Sequence, residues 1–343
     1  MAPIGGVTMD SRSLLEQKYR EIINNYLSDQ NEQLLYQGQK LSRKLIEYST
    51  TPEEIINLHR SILIELEPNL SQSVLSSFDV LLEVMMGYGL AYREHQSLRN
   101  QQQQLKTEIE IARNMQKTLL GTKIPQMKSL DIGAISVPAK HMSGDYYHFV
   151  EDENGCMGVA IADIIGKGIP AALCMSMIKY AMDSLQENVQ PHAILESLNR
   201  VVEQNVDPNM FISMFYGMYN PIDHQFLFSS AGHEPGFFYD SKHQQFTDLS
   251  AEGLLLGIEK KTKYKQYDIS LQKNDLVILL SDGVTECRTK EGFIEREILT
   301  EIIKKYIDLT AQEMVNHVYK ELERIQAFQL RDDFTLIILK RVD

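Results

Sequence analysis

The chain has 343 residues, 43% of them hydrophobic and 24% charged, with a formal net charge of -13. That length accommodates two domains with packed cores, while the acidic balance argues against nonspecific nucleic-acid binding, which needs clustered Lys and Arg. Its cysteines are Cys156, Cys174 and Cys287, an odd number without metal-ligand spacing, which argues against a disulfide framework or a zinc site and fits a reducing cytoplasm.

No apolar stretch is expected to approach the ~20 residues that cross a bilayer, and the N-terminus lacks the basic-then-apolar pattern of a secretion signal. The expectation is a soluble cytoplasmic protein with no membrane and no nucleic-acid partner. Residues 1–8 read as an unstructured leader. From Asp10 to Leu120 glycine is confined to Gly38, Gly87 and Gly89, and the pattern is helical. Leu14, Leu15, Tyr19, Ile22, Ile23 and Tyr26 form one stripe, and Leu34, Leu35, Leu41, Leu45 and Ile46 a second, predicting an antiparallel helix pair. Thr51-Pro52-Glu53-Glu54 opens a third helix, with a capping hydroxyl, a proline in the first turn and acids at the positive end of the dipole. It ends near Pro68. Ser71 caps a fourth, whose Val74, Leu75, Phe78, Leu81, Leu82, Val84, Met85 and Met86 make it the expected central core element.

Past His95 a thin apolar stripe runs through a polar background. Leu98, Leu105, Ala112 and Leu119 are seven apart, with Ile109 and Met115 beside them, which predicts a helix paired with a second copy of the chain. The alternative is a linker helix lying against the next domain. The resulting division is 10–94 as a helical regulatory or partner-binding domain, 95–120 as a linker helix, and 121–343 as a catalytic domain.

Beyond Gly121 the runs shorten and alternate. Strands are predicted at 131–137, 146–150, 157–162, 210–219, 225–231, 236–239, 276–280 and 334–339, and helices at 169–185, 192–204, 294–306 and 311–325. Strands and helices come in blocks, so the expected class is α+β, two antiparallel sheets flanked by helices.

Acidic signatures sit at the edges of these runs. Asp163 ends Val159-Ala160-Ile161-Ala162 and precedes a tight loop opening a helix. An aspartate there can bridge two cations, with the Ile164 carbonyl supplying a further oxygen; a helix cap or Asx-turn is the plainer use. Gly166-Lys167-Gly168 lacks Walker spacing, because Ile161 stands where the first glycine would be. Asp282 closes Leu276-Val277-Ile278-Leu279-Leu280-Ser281 ahead of Gly283, also a common turn arrangement. Asp332 and Asp333 precede the apolar run Phe334 to Leu339, where uncompensated charge beside a buried strand is costly unless cations or strong donors relieve it. Asp145, after Gly144, is a fourth vertex.

The ordered series Ser143-Gly144-Asp145-Tyr146-Tyr147, Ala162-Asp163, Ala231-Gly232-His233-Glu234-Pro235, Gly253 to Gly257, Ser281-Asp282-Gly283-Val284-Thr285-Glu286 and Asp332-Asp333-Phe334-Thr335 resembles the metal-dependent serine/threonine phosphatases of the PPM superfamily, in their bacterial SpoIIE-like branch. The resemblance covers roughly 121–343, and the helical N-terminus with Ser136-Val137-Pro138-Ala139-Lys140 further resembles the stress-response phosphatases of partner-switching pathways. It implies an antiparallel β-sandwich flanked by helices, preceded by a helical bundle. It also implies two Mn2+ or Mg2+ ions, with Asp163 between them, Asp282 and Asp332 on one, Asp145 and the Ile164 carbonyl on the other, and Asp333 behind the direct ligands. The implied chemistry is direct hydrolysis of phosphoserine without a phosphoenzyme. The implied substrate is a phosphorylated STAS-domain anti-anti-sigma factor, so that activity releases a stress sigma factor. The implied activator is a kinase-like protein docking on the N-terminal domain of a homodimer. Two features depart from the eukaryotic branch of the superfamily. Ile164 and Ile165 stand where that branch has glycine and a histidine, and no upstream arginine is assigned; Lys140, His141 and Lys167 are left outside the catalytic set. His233 is expected to order a turn. The reading from another class is a non-catalytic phosphatase-fold adaptor or dimeric docking scaffold, against which retention of all four acidic vertices argues.

Overall fold

The computed structural model describes residues 9–48, 50–139, 142–152, 155–164, 168–184, 189–207, 210–287, 292–328 and 330–343. Residues 1–8, Lys140, His141, Ile165, Gly166 and Lys167 lie outside the described residues. The chain divides into two compact units, Met1–Lys106 and Thr107–Asp343.

In the first unit, α1 (Met9–Ser28) packs on α2 (Glu32–Glu47) and on α3 (Pro52–Leu66). Leu15, Leu41 and Leu45 form the buried centre, with Tyr19, Ile22 and Ile55 against it, so the two predicted stripes do meet. Thr51 caps α3 as the spacing predicts: its side chain accepts from the Glu54 N–H, while the Glu54 carboxylate accepts from the Thr51 N–H at 3.0 Å.

Helix α4 runs unbroken from Gln72 to Leu119, so the change of composition at His95 falls inside one helix. Its first part is not the buried core element that the sequence suggests. Leu75, Phe78, Leu82 and Met85 make a half-buried stripe, whereas Val74, Leu81, Val84 and Met86 are exposed. A helix apolar around most of its girth needs partners on several sides, and within this unit it has them on one. By length and composition α4 also meets the test for crossing a membrane, with an 18-residue window of mean hydropathy 1.4 that is 6% buried. This corrects the expectation of no such stretch. Asp79 and Glu83 interrupt the apolar run without lowering the window average enough to exclude it.

The second unit is a sandwich. One sheet has the order β1 (Leu130–Val137), β10 (Phe334–Arg341), β9 (Leu276–Leu280), β6 (Gly236–Asp240), β7 (Gln245–Leu249). The other runs β2 (Asp145–Glu151), β3 (Met157–Ile164), β4 (Ile212–Tyr219), β5 (Gln225–Ala231), β8 (Tyr267–Ser270). Neighbouring strands in both sheets are antiparallel. Ile161, Val159 and Phe215 from one sheet meet Val277, Leu279 and Ile337 from the other in the central core. The opposite faces are covered in turn. Ala160, Ala162 and Met214 pack under α5 (Ile169–Asp183) and α6 (Pro191–Asn205). Ile278, Leu280 and Ile338 pack under α8 (Arg296–Lys304) and α9 (Ala311–Ile325). This four-layer arrangement explains why β3, β9 and β10 read as nearly continuous apolar runs: they are covered on both faces, and each fully buried large side chain contributes about 1.5–3 kcal/mol. The short helix α7 (Asp282–Thr285) follows β9 directly.

Candidate metal centre

Register brings the acids together. Asp145 at the start of β2 pairs with Asp163 near the end of β3, and Asp163 pairs in turn with Ser213 on β4. Asp282 follows β9 of the facing sheet, at the same end of the sandwich. One carboxylate oxygen from each of Asp145, Asp163 and Asp282 lies within 4.8 Å of the others. Asp332 stands outside that trio but near enough for its charge to act on Asp282. Ile164 closes β3 next to Asp163 and is buried.

Asp333 braces the site from behind. Its Oδ1 accepts the Ala139 N–H at 2.7 Å and its Oδ2 the Gly144 N–H at 2.5 Å, so it fixes the backbone that carries Asp145. Gly283 is required beside it: a Cβ there would fall 2.0 Å from the Asp333 carbonyl oxygen. Ser281 and Thr335 exchange bonds across the strand ends, Ser281 N–H to Thr335 O and Thr335 N–H to Ser281 Oγ, both at 3.0 Å.

Two concavities adjoin the cluster. A cavity of about 220 Å³ is lined by Asp163, Ser213, His233, Glu234, Leu255 and Asp282. A larger cleft of about 460 Å³ passes Asp145, Ser143 and Tyr147 and is walled by Arg113, Gln116 and Lys117 of α4.

Comparison with known proteins agrees with this architecture. The family model for stage II sporulation protein E matches residues 153–342, and the model for the N-terminal domain of phosphoserine phosphatase RsbU matches 17–91. Phosphoserine phosphatase RsbU of Bacillus subtilis (strain 168) is 59% identical over 97% of this chain and 99% of its own length. The chain belongs to the RsbU family of SpoIIE-type phosphatases. Among solved structures, the SiaA-PP2C domain of Pseudomonas aeruginosa superposes with a TM-score of 0.60 at 17% identity, covering 71% of this chain and 98% of that one. The RsbU and RsbW domains of Rv1364c from Mycobacterium tuberculosis give 0.54 at 18% identity, covering 65% and 62%. At such identities these two show the fold alone.

The RsbU-family chain is therefore a protein serine phosphatase with the PPM fold, and its acidic cluster has the electrostatics of a cation site. Burial pushes the Asp145 carboxyl well above its usual range; hydroxyls of Ser281 and Thr335 offset this in part, and the charges of Asp163 and Asp333 add to it. Burial likewise raises Asp282, followed by repulsion from Asp332 and Glu286. Asp145 Oδ2 is buried with no hydrogen-bond partner. A hard divalent cation takes oxygen ligands and relieves both burdens, so the donor set fits one. Pattern reading did not find the hydroxyls of Ser281 and Thr335, nor the burial of Gln116, whose Nε2–H donates to the Ser143 carbonyl at 2.9 Å. Serine, threonine and glutamine carry no spacing signal that marks such roles. His233 donates its backbone N–H to Ser230 Oγ at 3.1 Å in the turn after β5.

Proposed function

We propose that the chain is a phosphoserine phosphatase dependent on two divalent cations, Mn2+ or Mg2+, acting on a phosphorylated STAS-domain anti-anti-sigma factor of the RsbV kind and thereby activating the general stress sigma factor. The observation that carries this reading is the convergence of Asp145, Asp163 and Asp282 at one end of the sandwich in a chain of this family. In this assignment Asp163 would serve both cations, Asp282 and Asp332 would help hold one, and Asp145 with the Ile164 carbonyl would help hold the other. Bound cations supply neutralisation of phosphoryl charge and a water acidic enough to act as nucleophile near neutral pH.

The chain's own residues do the positioning. Asp333 fixes the Gly144 peptide beside Asp145, and the nearby hydroxyls of Ser281 and Thr335 favour the ionised form of that carboxyl. No side-chain nucleophile is needed: burial raises the thiols of Cys156, Cys174 and Cys287, which leaves them protonated and inert. The cleft walled by Arg113 and Lys117 suits an anionic phosphorylated chain.

Regulation is assigned to the N-terminal part. A kinase-like activator of the RsbT kind docks on residues 10–94, and the helix over 95–120 conveys that event to the phosphatase domain, 121–343. Pairing in a cytoplasmic homodimer, rather than contact with membrane or nucleic acid, covers the seven-residue stripe, of which Leu98, Leu105 and Leu119 stand exposed in the single chain. Incubating the purified chain with a phosphoserine STAS protein, with and without manganese and with and without activator, tests the whole proposal. Phosphate release is expected only with the metal, and faster with the activator. Activator-independent release would remove the regulatory part. Stable binding of the phosphoprotein without release would favour the adaptor reading.

A further inference from the structure

The turn from β5 to β6 carries the chain out of one sheet and into the other, and an arginine closes it. Gly232, with φ at +66°, makes the bend, after which His233 and Glu234 join Asp163 and Asp282 on the wall of the 220 Å³ cavity. Arg296, the first residue of α8, reaches that turn with its guanidinium fork. Nη1 donates to Glu234 Oε1 at 2.8 Å, while Nη2 donates to the Pro235 carbonyl at 2.8 Å and to Asp248 Oδ1 on β7 at 3.0 Å. The guanidinium carbon lies 4.2 Å from the centre of the Phe237 ring, a cation–π contact that holds the fork in place. The Arg296 and Glu234 side chains are 29% and 31% exposed and that of Asp248 60%, so the pair with Glu234 is the less screened of the two.

Glu234 puts a third carboxylate on the wall of this cavity, although it is not one of the three acids whose oxygens converge. Burial and the charges of Asp332 and Glu286 raise the Asp282 carboxyl, and the charge of Glu234 adds to them. Left unbalanced, a carboxylate in that place draws cations in but repels a phosphoryl dianion, which has to approach the same acids. We infer that Arg296 is a positioning residue: it pins Glu234 to the turn and balances its charge, so that the cavity takes up cations without turning away the phosphoryl group. The inference rests on the metal-centre reading above. Asp248, the more exposed partner, steadies the fork from the side away from Glu234 and contributes less to the balance.

The test is calorimetric titration of the full chain with manganese chloride, together with KM for a phosphoserine STAS protein at saturating manganese. Arg296→Gln should tighten manganese binding and raise KM, each by roughly 3–10-fold, the scale of one partly screened unit charge. Glu234→Gln should move both constants the other way. A turn that had merely come loose would weaken both ligands, so the opposite signs separate charge from structure. The double variant, Glu234→Gln with Arg296→Gln, still lacks the contact with the Pro235 carbonyl, yet both constants should return to within about two-fold of the parent. An Arg296→Gln protein that binds both ligands more weakly, or neither differently, would overturn the inference, as would a double variant no closer to the parent than the single. If Arg296→Gln does not fold, Glu234→Gln decides: weaker manganese binding with a lower KM supports the inference, and unchanged constants overturn it. A parent protein that binds no manganese is a separate outcome: it sinks the metal-centre reading and takes the role of Arg296 with it.

Discussion

Asp163→Asn will leave a folded protein that no longer hydrolyses phosphoserine. The substitution is isosteric, Asp163 is only half-buried, and its ladder bonds to β2 and β4 are made by backbone, so the sandwich has no reason to change. What changes is charge at the one residue assigned to both cations. An amide offers a weaker neutral oxygen, and each cation loses part of its neutralising partner. The loss of turnover should go well beyond the roughly 10–100-fold typical of outer-shell substitutions. Phosphate release under saturating manganese, measured beside a far-ultraviolet spectrum and a melting curve, gives the answer. A folded variant retaining a tenth or more of the parent rate would remove Asp163 from the shared position.

Asp145→Asn is expected to push stability and function in opposite directions. Asp145 is 5% exposed, its Oδ2 has no partner, and Asp163 and Asp333 both repel its charge. In metal-free protein an amide of the same shape removes that repulsion and can donate to a neighbouring carboxylate, a gain of about 1–2 kcal/mol. For a unit of this size each kcal/mol moves the melting midpoint by about 2–4 °C. The gain should vanish when manganese is added. Cation at 100 times its dissociation constant stabilises the parent by about 2.7 kcal/mol, whereas the variant has lost a ligand and should respond little. An Asp145→Asn protein that melts lower without metal and keeps the parent's manganese shift would show that this carboxylate is structural.

These carboxylates were legible because their surroundings are. A run such as Val159-Ala160-Ile161-Ala162 can be continuous only if both faces of β3 are covered, and an aspartate ending such a run must sit at the rim of a sandwich. Asp282 after β9 follows the same logic, and the helices α5, α6, α8 and α9 fall close to where periodicity predicts them. The strands β7 and β8 were not predicted. Gln245–Leu249 and Tyr267–Ser270 are short, polar and at the sheet edges, where the alternating apolar signal fades. Helix α4 was split in two because composition changes at His95, yet hydrogen bonding along a helix does not depend on which side chains line it. Its apolar first half was assigned to a core on hydrophobicity alone, although periodicity cannot say whether the covering surface belongs to the same chain. The braces around the site, Asp333 to Gly144 and Arg296 to Glu234, join residues 189 and 62 positions apart, and only tertiary structure reveals such pairs.

The most direct test of the metal centre is anomalous scattering from crystals of the full chain grown with manganese. Two peaks flanking the Asp163 carboxylate are expected, one also contacted by Asp282 and Asp332 and the other by Asp145 and the Ile164 carbonyl. Well-ordered crystals at saturating manganese with no anomalous density among these residues, their carboxylates bonded only to protein and water, would contradict the account.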